Sequence, residues 1–159
     1  MTIHHPAPTA RATVRTAVEE PVRLRMRYDT VVKSAPHEDG PPSQETIALL
    51  KQLGTFCDLP KGWDGYGADP FDEEELEIGK CVLHALDAPV TVTSLTPGSS
   101  GELEFAFEYN GAQVTLLADD VDLRWVVRPE NGGVTRHFAT EHVGRSMWEA
   151  IADGLERIR

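Results

Sequence analysis

Cysteine is scarce in this sequence. Its two thiols, Cys57 and Cys81, are too few for the disulfide framework of a small secreted protein. Both fall near the apolar side of predicted helices, so we expect two buried, reduced thiols that pack as small hydrophobic side chains. No apolar run approaches the ~18 residues that a membrane-spanning helix needs. The N-terminus has no apolar segment after its first charges, which argues against a secretory signal. These absences predict a cytoplasmic protein that does not enter a membrane.

Motifs of catalysis and cofactor binding are also missing. The chain has no nucleophile elbow, no P-loop, no dinucleotide fingerprint and no Cys-x-x-Cys pair. His137 and His142 are separated by a spacing that suits no common zinc motif. The acidic residues from Asp64 to Glu75 do not follow the spacing of a calcium-binding EF-hand loop. We therefore predict no metal, no cofactor and no catalytic residue, and we favour a protein that is not an enzyme.

Positive charge is in short supply. The chain has 15 basic and 26 acidic residues and a formal net charge of −11. Residues 41–159 carry 21 of the acidic residues and only 9 of the basic ones. A surface that binds nucleic acid needs a basic face, so nucleic acid is not the expected partner. The acidic charge would favour encounter with a basic protein, although solubility alone explains it as well.

Residues 1–40 are predicted to form an N-terminal arm. The arm should be partly disordered, because its first half is rich in Thr, Ala, Pro and Arg and shows no usable period. A strand is predicted at 21–29, where apolar residues alternate with Arg23, Arg25 and Arg27. These arginines are candidate binding residues for an anion or an acidic surface. Alternatively, they prevent edge-to-edge pairing of the strand and meet the protein's own carboxylates.

Residues 41–159 are predicted to form a single α+β domain. It should contain two N-terminal helices, a four- to five-stranded antiparallel meander and a C-terminal helix packed on the sheet. Ser43 follows two prolines and is a good N-cap for a helix over 44–56. Asp72 and Glu75 have the spacing of a capping box, which starts a second helix.

Strand patterns dominate after Pro89. Asn110 and Gly111 form a strong hairpin signal, and a two-residue turn there sets the register of the flanking strands. With that register, every facing pair on one side of the hairpin is apolar. The predicted pairs are Tyr109–Ala112, Phe107–Val114, Phe105–Leu116 and Leu103–Ala118. The last strand is predicted to include Val134.

A C-terminal helix is predicted from the helical spacing of the apolar residues between 147 and 158. Ser146 and Glu149 match the capping box that would start it. Gly154 lies inside this helix and should weaken it by ~1 kcal/mol relative to alanine. We expect the apolar face of the helix to pack on the sheet rather than to bind a partner.

Residues 59–70, between the first two helices, are the most unusual stretch. They hold three glycines, two prolines and two large aromatic residues, which excludes a helix or a strand and predicts a compact turn. Trp63 and Tyr66 should both be covered, because each would otherwise leave a large apolar area in water. Asp64 is expected to accept hydrogen bonds from nearby backbone amides, as in an Asx-type turn. These three residues are the candidate binding residues of the domain.

The glycine-rich part of this stretch reads Gly62-Trp63-Asp64-Gly65-Tyr66-Gly67-Ala68 and is followed by a proline and a helix. It resembles a group of small uncharacterised bacterial proteins with a Trp-Asp-Gly-Tyr-Gly-Ala motif, a helix, a Pro/Gly turn, an antiparallel meander and a short final helix. The resemblance runs loosely from 59 to 155, with Phe105 where a tryptophan is expected. The group has no established activity, so the resemblance implies a fold and no reaction.

Two functions fit these patterns. The first is a non-catalytic protein-interaction module, comparable to an antitoxin, an immunity protein or an assembly subunit. Its partner would be a protein, and a basic one if charge guides the encounter; a homo-oligomer also fits. The second is a small enzyme or ligand-binding domain with a site around Trp63, Asp64, Tyr66 and His137.

Overall fold

The computed structural model describes residues 40–159. The strand predicted at 21–29, with Arg23, Arg25 and Arg27, lies outside the described residues. The described part has two helices, five strands and a last helix, which confirms the predicted α+β fold. The elements are α1 (Gln44–Gly54), a short 3-10 helix (Phe56–Asp58), α2 (Glu73–Asp87), β1 (Val92–Pro97), β2 (Leu103–Tyr109), β3 (Ala112–Ala118), β4 (Asp122–Pro129), β5 (Arg136–Glu141) and α3 (Met147–Glu156).

Side-chain caps start each helix where the sequence predicts it. The Ser43 hydroxyl accepts a hydrogen bond from a first-turn amide of α1. At the start of α2, the Asp72 carboxylate accepts from the Glu75 N–H at 2.9 Å, and the Glu75 carboxylate accepts from the Asp72 N–H at 2.8 Å. Ser146 and Glu149 form the same capping box at α3. These bonds satisfy amides that have no partner inside the helix.

The five strands form one antiparallel meander in the order β1-β2-β3-β4-β5. All four pairs predicted for the central hairpin are confirmed. The turn residues Asn110 and Gly111 have φ of 50° and 70°, as a type I′ turn requires. Turn chemistry and hydrophobic alternation therefore specify the same register.

The last strand differs from the prediction. Val134 was expected in it, but β5 begins two residues later and Val134 lies in the preceding turn with 85% of its surface exposed. The far end of β5 is held by Trp125 of β4. Its indole N–H donates to the buried Thr140 hydroxyl at 2.9 Å, and its ring stacks on Phe138 at 5.8 Å. Contacts to Trp125, rather than the apolar character of Val134, decide where the strand lies.

All three described helices pack on one face of the sheet, which we call the inner face. Their buried apolar residues form a single core with the inward side chains of the strands. Two glycines allow α2 and α3 to approach the sheet closely. A Cβ at Gly79 would lie 2.6 Å from Leu103 Cδ1, and one at Gly154 would lie 2.1 Å from Trp125 Cζ2. The opposite, outer face is covered by no helix of residues 40–159. None of those helices is long and apolar enough to cross a bilayer.

The expectation of two buried thiols is wrong for Cys57. This residue is exposed, and its thiol donates to the carbonyl of Gly54 at 3.1 Å. The physical reason is that α1 ends at Gly54 and the 3-10 helix turns Cys57 outward. Cys81 is partly buried, and burial raises its thiol pKa to about 11. Cys81 therefore stays protonated at neutral pH.

Candidate functional site

The loop of residues 59–70, the Tyr66 loop, owes its shape to glycine. Gly62, Gly65 and Gly67 have φ of 76°, 80° and 102°, in the left-handed region that side chains disfavour. The N–H of Gly62 donates to the carbonyl of Ala68 at 2.7 Å and closes the loop at its base. The three glycines therefore allow a tight turn that other residues would strain.

Asp64 fixes the backbone of this loop. Its Oδ1 accepts hydrogen bonds from the N–H groups of Tyr66, Gly67 and Ala68 at 2.9, 3.0 and 3.0 Å. The expected Asx-type arrangement is confirmed. These amides, with Ala68 contributing most, lower the pKa of Asp64 because they stabilise its charged form. A carboxylate with a lowered pKa is a weaker base, and Oδ1 holds three amides of the loop, so we assign Asp64 a structural role.

Trp63 docks the loop onto the core, as the sequence predicts. The side chain is partly buried, and its indole N–H donates to the carbonyl of Asp69 at 3.3 Å. Its ring lies 6.3 Å from that of Phe71, which is buried and lies 5.8 Å from Phe56. This chain of three aromatic rings connects the loop to the helical layer and limits its movement.

Tyr66 contradicts the prediction that both loop aromatics are covered. Its side chain is 96% exposed, whereas Trp63 is partly buried. The flanking glycines make the sharp turn, and Tyr66 stands at its tip, where no other described element reaches it. The loop therefore holds its largest exposed ring in water on a fixed backbone.

The loop and its flanks are rich in exposed carboxylates. The exposed acidic residues of the loop and its flanks are Asp58, Asp69, Asp72, Glu73 and Glu74. Lys61 is the loop's basic residue, and its ammonium lies 3.4 Å from Asp69 in an exposed pair that contributes little stability. At Glu75, burial and the nearby Asp72 and other carboxylates raise the pKa. Residues 58–74 therefore carry six acidic side chains and one basic side chain.

The structure does not bring His137 to the Tyr66 loop. His137 is exposed on the outer face of β5, because the adjacent Phe138 points into the core. The loop lies with the helices on the inner side. His142 is buried, and its Nε2 donates to the carbonyl of Asp119 at 2.8 Å, which gives it a structural partner. Residues 40–159 contain no group of three or more His, Cys, Asp or Glu that could hold a metal.

Sequence reasoning missed Asp87, the last residue of α2. Its carboxylate accepts from the Ser43 hydroxyl at 2.5 Å, the Ser43 N–H at 3.2 Å and the Thr46 hydroxyl at 2.6 Å. Burial alone would raise its pKa, but these hydrogen bonds lower it below the usual range. An acid at the negative end of a helix dipole is unusual, and that was the available signal. Asp87 joins the end of α2 to the start of α1.

Comparison with known proteins gives no relative: no family model, no curated protein and no solved structure matches this chain. Of the candidate residues in the range 40–159, the structure joins Trp63, Asp64 and Tyr66 in one rigid loop and separates His137 from them.

Proposed function

We propose that this protein is a non-catalytic protein-interaction module of the cytoplasm and that the Tyr66 loop is its contact surface for a basic protein partner. The observation that carries the proposal is the 96% exposure of Tyr66 at the tip of a fixed loop. Tyrosine is enriched among the few residues that dominate binding energy at interfaces, because it buries a large rigid area when a partner covers it.

Rigidity of the loop supports this use. Three backbone N–H groups are held by one carboxylate of Asp64, and Trp63 is anchored on Phe71. A loop already fixed in one conformation loses little entropy when a partner binds, so more of the contact energy appears as affinity.

The chemistry around the ring selects the partner. A guanidinium or ammonium group can lie over the face of Tyr66 and interact with its π electrons. The neighbouring carboxylates, from Asp58 to Glu74, would attract such a group and steer its approach. We therefore infer a partner that presents Arg or Lys side chains, as expected for a protein bound by an acidic antitoxin, immunity protein or assembly subunit.

The enzyme alternative is not proposed. It would need His137 beside Asp64, and these residues lie on opposite sides of the sheet.

The test is affinity capture by the full chain from a native host lysate, with two matched variants. Tyr66→Ala removes the exposed ring, and Val134→Ala removes an exposed apolar side chain from the turn before β5. We expect the wild type and Val134→Ala to retain the same basic protein, and Tyr66→Ala to bind it at least about tenfold more weakly, a loss of about 1.4 kcal/mol. High salt should weaken capture, because the steering charges are exposed. Equal retention by Tyr66→Ala, or the absence of any retained protein, would overturn the proposal.

A further inference from the structure

The outer face of the sheet carries an ordered charge pattern. Three rows of side chains cross the central strands β2, β3 and β4 on this face, as the strand register defines them. The rows are Glu108, Gln113 and Arg128; Ala106, Thr115 and Val126; and Glu104, Leu117 and Arg124. In both outer rows a glutamate lies on β2, an uncharged residue on β3 and an arginine on β4. The middle row is uncharged.

These charges are not neutralised by one another within a single chain. Strands β2 and β4 are separated by two strand spacings, about 10 Å, with β3 between them. Glu104, Glu108 and Arg128 form no ion pair within the described part of the chain. Arg124 contacts Asp119 at 3.4 Å and Asp122 at 3.7 Å. The row that contains Glu108 and Arg128 is therefore the one most able to bind opposite charges from outside.

The pattern is complementary to itself under one symmetry operation. A two-fold axis that runs along β3, between two facing copies, places β2 of each copy over β4 of the other and keeps the rows aligned. Glu108 then faces Arg128 of the second copy, and Glu104 faces Arg124 of the second copy, each twice. An axis across the strands would instead place Glu104 over Glu108. Of these two axes, the charges of the three rows favour the one along β3. Asp122, which starts β4 on the same face, lies 3.7 Å from Arg124 and is partly neutralised by it.

We propose that the outer face joins two copies of this chain face to face about a two-fold axis along β3. Two-fold dimers use the same patch on both subunits, as this pattern requires. Because each sheet is twisted, its edges lie further from the second copy than its centre does, so contact concentrates on the central strands. There the half-buried residues Ala106, Thr115, Leu117 and Val126 would be covered by the second copy.

The size of the face predicts a weak dimer. Five strands of about seven residues span roughly 20 by 24 Å, so two copies would bury at most roughly 1,000 Å² in total. That area is at the lower end for specific protein interfaces. A shallow depression of about 240 Å³ beside Gln113 leaves room for side chains of the second copy. We therefore expect association that depends on protein concentration.

The inference does not rest on the proposed function, because the Tyr66 loop lies on the inner side of the sheet.

Sedimentation of the full chain, from micromolar to millimolar concentration, tests the dimer. Because each chain carries a net charge of −11, the salt should be about 150 mM, where repulsion is screened beyond about 8 Å. We expect Glu108→Arg alone and Arg128→Glu alone to raise the dissociation constant at least about tenfold, since each places like charges together twice. An equimolar mixture of these two variants should restore dimerisation, because in the mixed dimer both contacts again join opposite charges.

The control variants Glu45→Arg and Lys51→Glu make the same charge changes on exposed positions of α1. They should leave the dissociation constant unchanged, and circular dichroism confirms that all variants fold. A wild-type chain that stays monomeric at every concentration would overturn the inference, whether the face is bare or covered by another part of the chain. So would a dimer that both single variants preserve, or a mixture that does not recover. Tyr66→Ala should dimerise as the wild type does, so the two proposals can fail separately.

Discussion

Replacing Gly154 by alanine is expected to destabilise the protein, although alanine is the better helix former. Gly154 lies inside α3, against the indole ring of Trp125. A Cβ at this position would lie 2.1 Å from Cζ2 and 2.3 Å from Cε2 of that ring. Carbon atoms in favourable contact are about 3.5–4 Å apart, so either the ring or the helix must move.

The ring has little freedom to move. Trp125 is 1% exposed and is held on three sides. Phe138 stacks on it at 5.8 Å, Phe107 meets it edge-on at 6.4 Å, and its N–H donates to Thr140 at 2.9 Å. A displaced ring would lose these contacts and leave the buried Thr140 hydroxyl without its donor. The alternative is a shift of α3, which would separate it from the sheet.

The magnitude follows from two opposing terms. Overpacking a well-packed core costs about 1–3 kcal/mol, and the upper end, about 3 kcal/mol, applies because the ring is held on three sides. Alanine stabilises a helix by ~1 kcal/mol relative to glycine, which offsets part of this cost. The net loss in the free energy of unfolding of Gly154→Ala should be about 2 kcal/mol, a drop in Tm of roughly 6 °C for a domain of this size.

Urea and thermal unfolding, followed by circular dichroism, measure this loss. Gly54→Ala is the matched control, because Gly54 ends α1 and a Cβ there would meet nothing within 4 Å. It should be neutral or stabilise by up to ~1 kcal/mol. In a Trp125→Phe background the cost of Gly154→Ala should shrink, which a double-mutant cycle detects as coupling. If Gly154→Ala matches Gly54→Ala in stability, α3 does not approach the ring this closely and the packing argument fails.

Three further changes test other parts of the structure. Asp87→Ala removes the acceptor that joins α1 to α2 and should lower the free energy of unfolding by about 2 kcal/mol in urea titrations; an unchanged midpoint would contradict this. The lowered folded pKa of Asp64 means that its stabilising contribution is present above the ordinary carboxyl pKa and is lost as the pH falls through the folded value. Wild type and Asp64→Ala should therefore differ in Tm at pH 7 and converge at strongly acidic pH, whereas a constant difference would exclude the carboxylate charge as the cause. Gly111→Ala forces a side chain into a φ of 70° and should cost about 1 kcal/mol in thermal unfolding; no loss would argue against the type I′ turn.

The features that the sequence predicts well are those decided by neighbours along the chain. The capping boxes at Asp72 and Ser146 need only residues within one helical turn. The hairpin register follows from Asn110-Gly111 and from the alternation on either side of it. The Asp64 turn likewise joins residues within four positions of each other.

The features that cannot be predicted from the sequence depend on contacts between elements that are distant along the chain. Asp87 and Ser43 are 44 positions apart, so their hydrogen bond exists only once α1 and α2 have packed. From the sequence alone, Gly154 is a poor helix residue in α3. In the structure its missing side chain leaves room for the Trp125 ring. Tyr66 was expected to be covered because an exposed ring is unfavourable on its own, and the loop places it beyond the reach of any described element. In each case the contacts of the residue in the folded structure, and not its own preference, determine its role.

A dimer through the outer faces turns both helical layers outward, so each dimer would present two Tyr66 loops on opposite sides. A partner whose basic segments are far enough apart to reach both sides, or one carried on an oligomer, could then bind both loops, and the second contact would be intramolecular. Glu108→Arg would then weaken binding of such a partner without touching the Tyr66 loop, and mixing it with Arg128→Glu would restore that binding. A single-site partner should bind all these variants equally, which separates the effect of avidity from that of the loop itself.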